Sequence, residues 1–119
     1  MCRMLSPAER FYNDLPGPEQ QHWVSQLRLS PVNTQTTAIT HAAYRYHPST
    51  YLFCENDCAL PVEVQRMMVQ QVNAELMDQT GTLGELVSGV ATESCTAGHS
   101  PFLSQPNTVL KLVERILRR

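Results

Sequence analysis

Residues 49–64 read STYLFCENDCALPVEV, and the fold follows from how this stretch divides. STYLFC, residues 49–54, is a continuous run of β-favouring side chains and reads as a buried strand. ENDCAL is a short polar loop, and Pro61 suits the first position of a helix. The residues beyond it place Val64, Met67, Met68, Val72 and Leu76 at i, i+3, i+4 spacing, which predicts a helix packing one face on a sheet. DQTGTLGELVSG, residues 78–89, carries three glycines and reads as a loop with weak helical potential in its middle. VATESC, residues 90–95, is a second strand candidate, and TAGHSPFLSQP is a loop with room for one helical turn. A last helix is expected from near Pro106, with Val109, Leu110, Val113, Ile116 and Leu117 on one side and packed against the sheet.

The order strand, helix, strand, helix is the signature of a parallel βαβ unit, so the fold class is α/β. A right-handed crossover points both strands the same way. Loop residues just past the two strands then share one edge of the sheet, the carboxyl edge where α/β proteins place ligand sites. Asp57 follows the first strand by three residues, and His99 follows the second by four.

Upstream, the pattern is helical and broken. SPAERFYNDLP offers Ser6 as an N-cap with Pro7 behind it. Pro16, Gly17 and Pro18 interrupt, PEQQHWVSQLRL resumes with Trp23, Val24 and Leu27 at helical spacing, and Pro31 interrupts again. TTAITHAAYRY, residues 36–46, is expected to form one more short helix with a β-branched start. These pieces are too short to build a core of their own, so residues 1–48 read as cap helices. Residues 49–119 then form the parallel strand-helix-strand-helix unit.

Composition narrows the function. A 119-residue chain is one modest domain, and a net charge of −2 with a pI near 6.0 lacks the basic footprint of a nucleic-acid binder. No apolar run approaches the roughly 20 residues of a membrane span, and MCRMLSPAER has no apolar signal core. Cys2, Cys54, Cys58 and Cys95 do not form the framework of a small secreted domain, which makes a reduced, cytoplasmic setting the expectation. The basic end, Lys111 to Arg119 with Glu114 inside it, reads as the solvated last turns of a helix.

Asp57 and His99 are the best candidates for chemistry. A carboxylate that accepts the imidazole Nδ1 proton fixes the ring tautomer and stabilises imidazolium, and Nε2 is then free to take a proton from a hydroxyl. Gly98 before the histidine would allow backbone angles closed to other residues. The bland alternative is an Asp that caps the next helix beside an exposed His. Glu55 is a competing acid. Cys95, near a strand end, is a candidate nucleophile, although buried structural cysteine is the commoner case. Cys54 and Cys58 have the spacing of a metal-binding pair with no second pair to complete it, and His22, His41 and His47 are scattered over the cap region.

PSTYLFCENDCALPVEVQRMMV and ESCTAGHSPFLSQPNTVLKLVERI closely resemble the C-terminal half of fungal α/β-hydrolases, which are similar to the plant hydroxynitrile-lyase and methylesterase group. FYNDLP resembles their cap region. The resemblance covers nearly the whole chain and implies a partial α/β-hydrolase fold, with Asp57 as triad acid and His99 as triad base. It also implies that Trp23, from the cap, and Phe102 and Leu103, after the histidine, line a substrate pocket. No cofactor or metal is implied. The family's nucleophile elbow, G-x-S-x-G on a strand-to-helix turn, is missing: Ser88 sits in LVSGV, Ser100 has Gly98 two before it but Phe102 two after, and Ser25 lies inside a predicted helix. The family's oxyanion-hole segment is missing as well.

The chain therefore reads as a truncated homologue, a mispredicted gene product, or a half-protein such as one part of a split enzyme. It would be inactive alone and would act on small-molecule acyl or ester substrates, in small-molecule or secondary metabolism, once a nucleophile-bearing half joined it. The alternative is a non-catalytic remnant or interaction module. With only two strands expected, one sheet edge is left open, which invites self-association.

Overall fold

The structure, a computed structural model, describes residues 6–79 and 89–118. Cys2, Ser88 and the loop around Gly81 and Gly84 lie outside the described residues. Three short helices come first, α1 (Pro7–Phe11), α2 (Gly17–Gln26) and α3 (Asn33–Thr36), then a 3-10 turn (Ala43–Arg45). Strand β1 (Ser49–Cys54), helix α4 (Val62–Gln79), strand β2 (Val90–Cys95), helix α5 (Pro101–Ser104) and helix α6 (Pro106–Leu117) follow.

The strands pair in parallel, in register from Ser49 beside Val90 to Cys54 beside Cys95. This is the mixed, parallel arrangement expected of a partial α/β fold. Beyond the strand ends the Glu55 amide donates to Cys95 O (2.9 Å) and the Asn56 amide to Ala97 O (3.1 Å), so the two post-strand loops leave the sheet together. At the opposite end, Asn73 Oδ1 on α4 accepts from the Val90 amide (2.8 Å). Gly89 turns there with φ of +87°, and a Cβ would lie 3.0 Å from that same Oδ1.

Three local expectations are corrected. Residues 36–46 do not form a helix: α3 stops at Thr36, and only the 3-10 turn Ala43–Arg45 follows. Thr36, Thr37, Ile39 and Thr40 crowd four β-branched side chains into the stretch, and these lose χ1 freedom in a helix. Ser6 makes no side-chain cap; it sits in the left-handed region with φ of 52°. The face of α4 is also rotated from the one its sequence suggests. Gln65, Val69 and Leu76 are buried there, whereas Val64, Met67 and Met68 are exposed.

The two long helices meet the strands differently. Val69 and Val72 of α4 line an apolar groove with Tyr51 and Val90, and Arg66 lies over the Phe53 ring, 5.7 Å from its centre. On α6 the inward residues are Thr108, Lys111, Leu112 and Arg115, which border a cleft of about 310 Å³ with Leu52 and Glu93. The stripe of Leu110, Val113, Ile116 and Leu117 does not pack on the strands as its spacing suggests; it faces outward and is exposed. No described helix is long and apolar enough to cross a membrane.

Candidate active site

The strand ends fix the site from below. Cys54 and Cys95 are buried side by side, with Sγ atoms 3.9 Å apart, and Ala97 beyond them is fully buried. Burial pushes the Cys54 thiol up to about 12, with the nearby Cys95 and then the Asp57 and Asp14 carboxylates adding to the effect. Burial, with Cys54 and Asp57 behind it, likewise raises Tyr51 above the ordinary phenol value. Cys95 thus sits in the packed end of the sheet against a second cysteine and meets no imidazole.

Asp57 comes three residues after β1. Its Oδ1 accepts from the backbone amides of Ala59 (2.8 Å) and Leu60 (2.9 Å), a tight turn made by the acid's own side chain. Its Oδ2 lies 2.9 Å from His99 Nδ1. A carboxylate only accepts, so Nδ1 carries the shared proton, and in the neutral ring that tautomer has its lone pair at Nε2. The acid side chain is 5 % exposed and the imidazole 37 %, so the carboxylate is shielded while the ring opens to solvent. Among the described residues Nε2 has no hydrogen-bond partner. Glu55, the competing acid, is exposed.

The segment between α1 and α2 clamps both loops. Asn13 Nδ2 donates to Asn56 O (2.8 Å) next to the acid, and Asp14 Oδ2 accepts from the Gly98 amide (2.6 Å) next to the base. Phe11 stacks on the His99 ring at 5.1 Å and 30°. Gly98 is required by this close approach, since a Cβ there would run into Asn13 Oδ1 and come within 2.9 Å of Asp14 Oδ1. Its backbone is not in the left-handed region, so the need is for space and not for unusual angles. Asn13 Oδ1 and Asp14 Oδ1 are buried with no hydrogen-bond partner.

The other candidate residues lie apart from the pair. Trp23 is half-buried on α2 with its ring edge-on to His22 at 5.0 Å. Phe102, 62 % exposed, and Leu103, half-buried, sit on α5 directly after the histidine. A cleft of about 740 Å³ runs between the cap and the acid loop, lined by Arg10, Asn13, Gln20, Cys58 and Pro61 among others. Two participants have no counterpart in the sequence reasoning: Gln65, buried under the acid loop, and the Asn13–Asp14 clamp. A polar residue among the buried positions of α4 was the available sign of the first. The second carried none beyond its place in FYNDLP.

Adjacent parallel strands deliver a hydrogen-bonded carboxylate and imidazole to one edge of a partial α/β fold. Comparison with curated proteins takes the class further. The chain is 37% identical over 97 residues to a protein named alpha/beta hydrolase nvfD from Aspergillus novofumigatus (strain IBT 16806). The match covers 81% of this chain and 33% of that relative. The chain is thus similar to that fungal protein and spans about a third of its length. No family model matches it.

Proposed function

We propose that this chain carries the acid and base of a Ser-His-Asp triad, Asp57 orienting His99, and that the serine comes from a separate nucleophile-bearing segment. The observation that carries the proposal is the 2.9 Å pairing of His99 Nδ1 with Asp57 Oδ2, which leaves Nε2 unpartnered at the exposed rim. In that arrangement Nε2 takes the proton of an incoming serine hydroxyl and returns it to the leaving group, while Asp57 stabilises the imidazolium. The substrates are small acyl or ester compounds, with Trp23, Phe102 and Leu103 contributing to the pocket wall. None of the 119 residues lies in a G-x-S-x-G elbow, so the chain alone is inactive. Its exposed α6 stripe and the strand edges left unpaired among the described residues are where the other segment, or a second copy, docks.

Reconstitution tests the proposal. The chain is mixed with a polypeptide comprising the elbow-bearing remainder of an α/β-hydrolase relative, and p-nitrophenyl butyrate hydrolysis is followed. Activity is expected only in the mixture, and His99→Ala in the chain should lower it by about 10³-fold or more. Labelling of the chain alone by a fluorophosphonate would overturn the inactivity claim. Mixture activity that survives His99→Ala would overturn the role of the imidazole.

A further inference from the structure

We infer that Gln65 is a positioning residue, its side-chain amide holding Asp57 in the orientation from which it grips His99. The inference rests on the acid–base pairing proposed above.

Gln65 is 1 % exposed and is the largest fully buried side chain among the described residues. Its Oε1 accepts from the Cys54 amide (3.0 Å). Its Nε2 donates to Leu60 O (2.7 Å) and Cys54 O (3.1 Å) and lies 3.4 Å from Asp57 Oδ2. These partners bracket the acid. Cys54 is the last residue of β1, Leu60 closes the turn that Asp57 makes, and Asp57 lies between them. Two N–H groups serve three acceptors, so the longest contact is a shared one and the shorter two hold the amide in place.

The carboxylate is then fixed at both oxygens. Oδ1 is taken by the Ala59 and Leu60 amides, and Oδ2 is divided between His99 Nδ1 and the Gln65 amide. A methionine would fill the same volume without the cost of burying an amide. What it lacks is a donor shared with Oδ2 and a tie from strand end to turn end. Those two features set the carboxylate plane, and the carboxylate plane sets the imidazole tautomer.

The test is the ring ¹⁵N spectrum of His99 in the full ¹⁵N-labelled chain, assigned by the signal lost in His99→Gln. The unmutated chain should show Nδ1 protonated. Gln65→Glu keeps the shape but turns an oxygen toward three acceptors, and Gln65→Met removes the polar atoms. In either variant, with amide dispersion retained, the Nδ1-protonated fraction should fall by about twofold or more as the partner that fixes the tautomer loosens. An unchanged tautomer in a folded variant overturns the inference. Asp57→Asn separates the levels: if it too leaves the tautomer unchanged, the acid–base pairing itself is wrong. If it moves the tautomer and the Gln65 variants do not, only the role of Gln65 falls. Should both Gln65 variants unfold, the unmutated chain still decides. Its Gln65 side-chain amide protons should exchange slowly and shift on Asp57→Asn, and rapid exchange or an unmoved signal overturns the inference.

Discussion

The rim around Asp57 and the flank formed by α6 are held by opposite means. At the rim most polar groups have a named partner, and among the described residues His99 Nε2, Asn13 Oδ1 and Asp14 Oδ1 are the ones left without. The acid accepts from two amides and the imidazole, Gln65 spans the strand end and the turn, and Asn13 and Asp14 reach in from the cap. On the flank, α6 has a well-formed apolar stripe and almost nothing against it; Leu117 is 80 % exposed. Directional contacts close over a few residues, here the two post-strand loops, Gln65 on α4 and the cap segment that clamps them. Apolar burial needs area, and two strands with one 18-residue helix across them supply little. The Asp57–His99 pairing is therefore held by contacts within this chain, while the α6 stripe is left uncovered among the described residues.

Truncating a side chain on each side of that divide gives the largest contrast. Leu76 is buried on the inner face of α4, so Leu76→Ala should lower unfolding free energy by about 2–4 kcal/mol in urea titration. Leu117→Ala should change it by less than about 0.5 kcal/mol. Equal losses would mean that α6 is packed after all. Gly98→Ala comes next. The added methyl must displace the Asn13–Asp14 clamp, at a cost of about 1–3 kcal/mol, and the Phe11 ring should lose its position over His99. A nuclear Overhauser contact between the Phe11 and His99 rings reports the second effect independently of stability. A contact that persists in Gly98→Ala would show that the clamp is not what seats the cap.

What the sequence made legible follows the same division. STYLFC and VATESC are strands with the bounds their side chains suggest, because β-branched and aromatic runs next to loop residues carry a local signal. Asp57 and His99 could be placed at one edge because parallel connectivity does that geometrically, whatever the side chains around them. The inner face of α4 was legible only in part from hydrophobicity, which found Leu76 and Val72 and missed Gln65 and Val69. Its most buried position is Gln65, a residue whose burial is justified by four partners that no periodicity counts, and Met67 and Met68, apolar by type, are exposed. The α6 stripe was legible as a stripe, but spacing says only that a face is apolar and not what covers it.

The buried thiols at the strand ends offer a pH-dependent probe of the rim. In the fold Cys54 is raised to about 12 by burial and by Cys95, so the folded state favours the protonated thiol. Its contribution is fully present below the ordinary thiol value of 9.0 and is lost as pH rises from there toward about 12. Tyr51, raised in the same direction, adds to the alkaline loss above its ordinary 10.0. Stability measured by urea unfolding should therefore fall from about pH 9 upward, and Cys54→Ala should flatten that fall. An unaltered slope in the variant would place the alkaline sensitivity elsewhere.

The smallest effect is expected at the ion pair that ties the flank to β2. Arg115 on α6 meets Glu93 on β2 at 2.6 Å, with the side chains 53 % and 32 % exposed. Solvent screens such a pair, and ordering two long side chains offsets much of what remains. Glu93→Gln should shift the urea midpoint by an amount worth less than about 0.5 kcal/mol, with no difference between low and high salt beyond that size. A loss several times larger would mean that the ion pair, and not apolar packing, seats α6 against the strands. The exposed stripe would then be an outward face of a finished contact, and the helix would no longer be waiting for a surface to cover it.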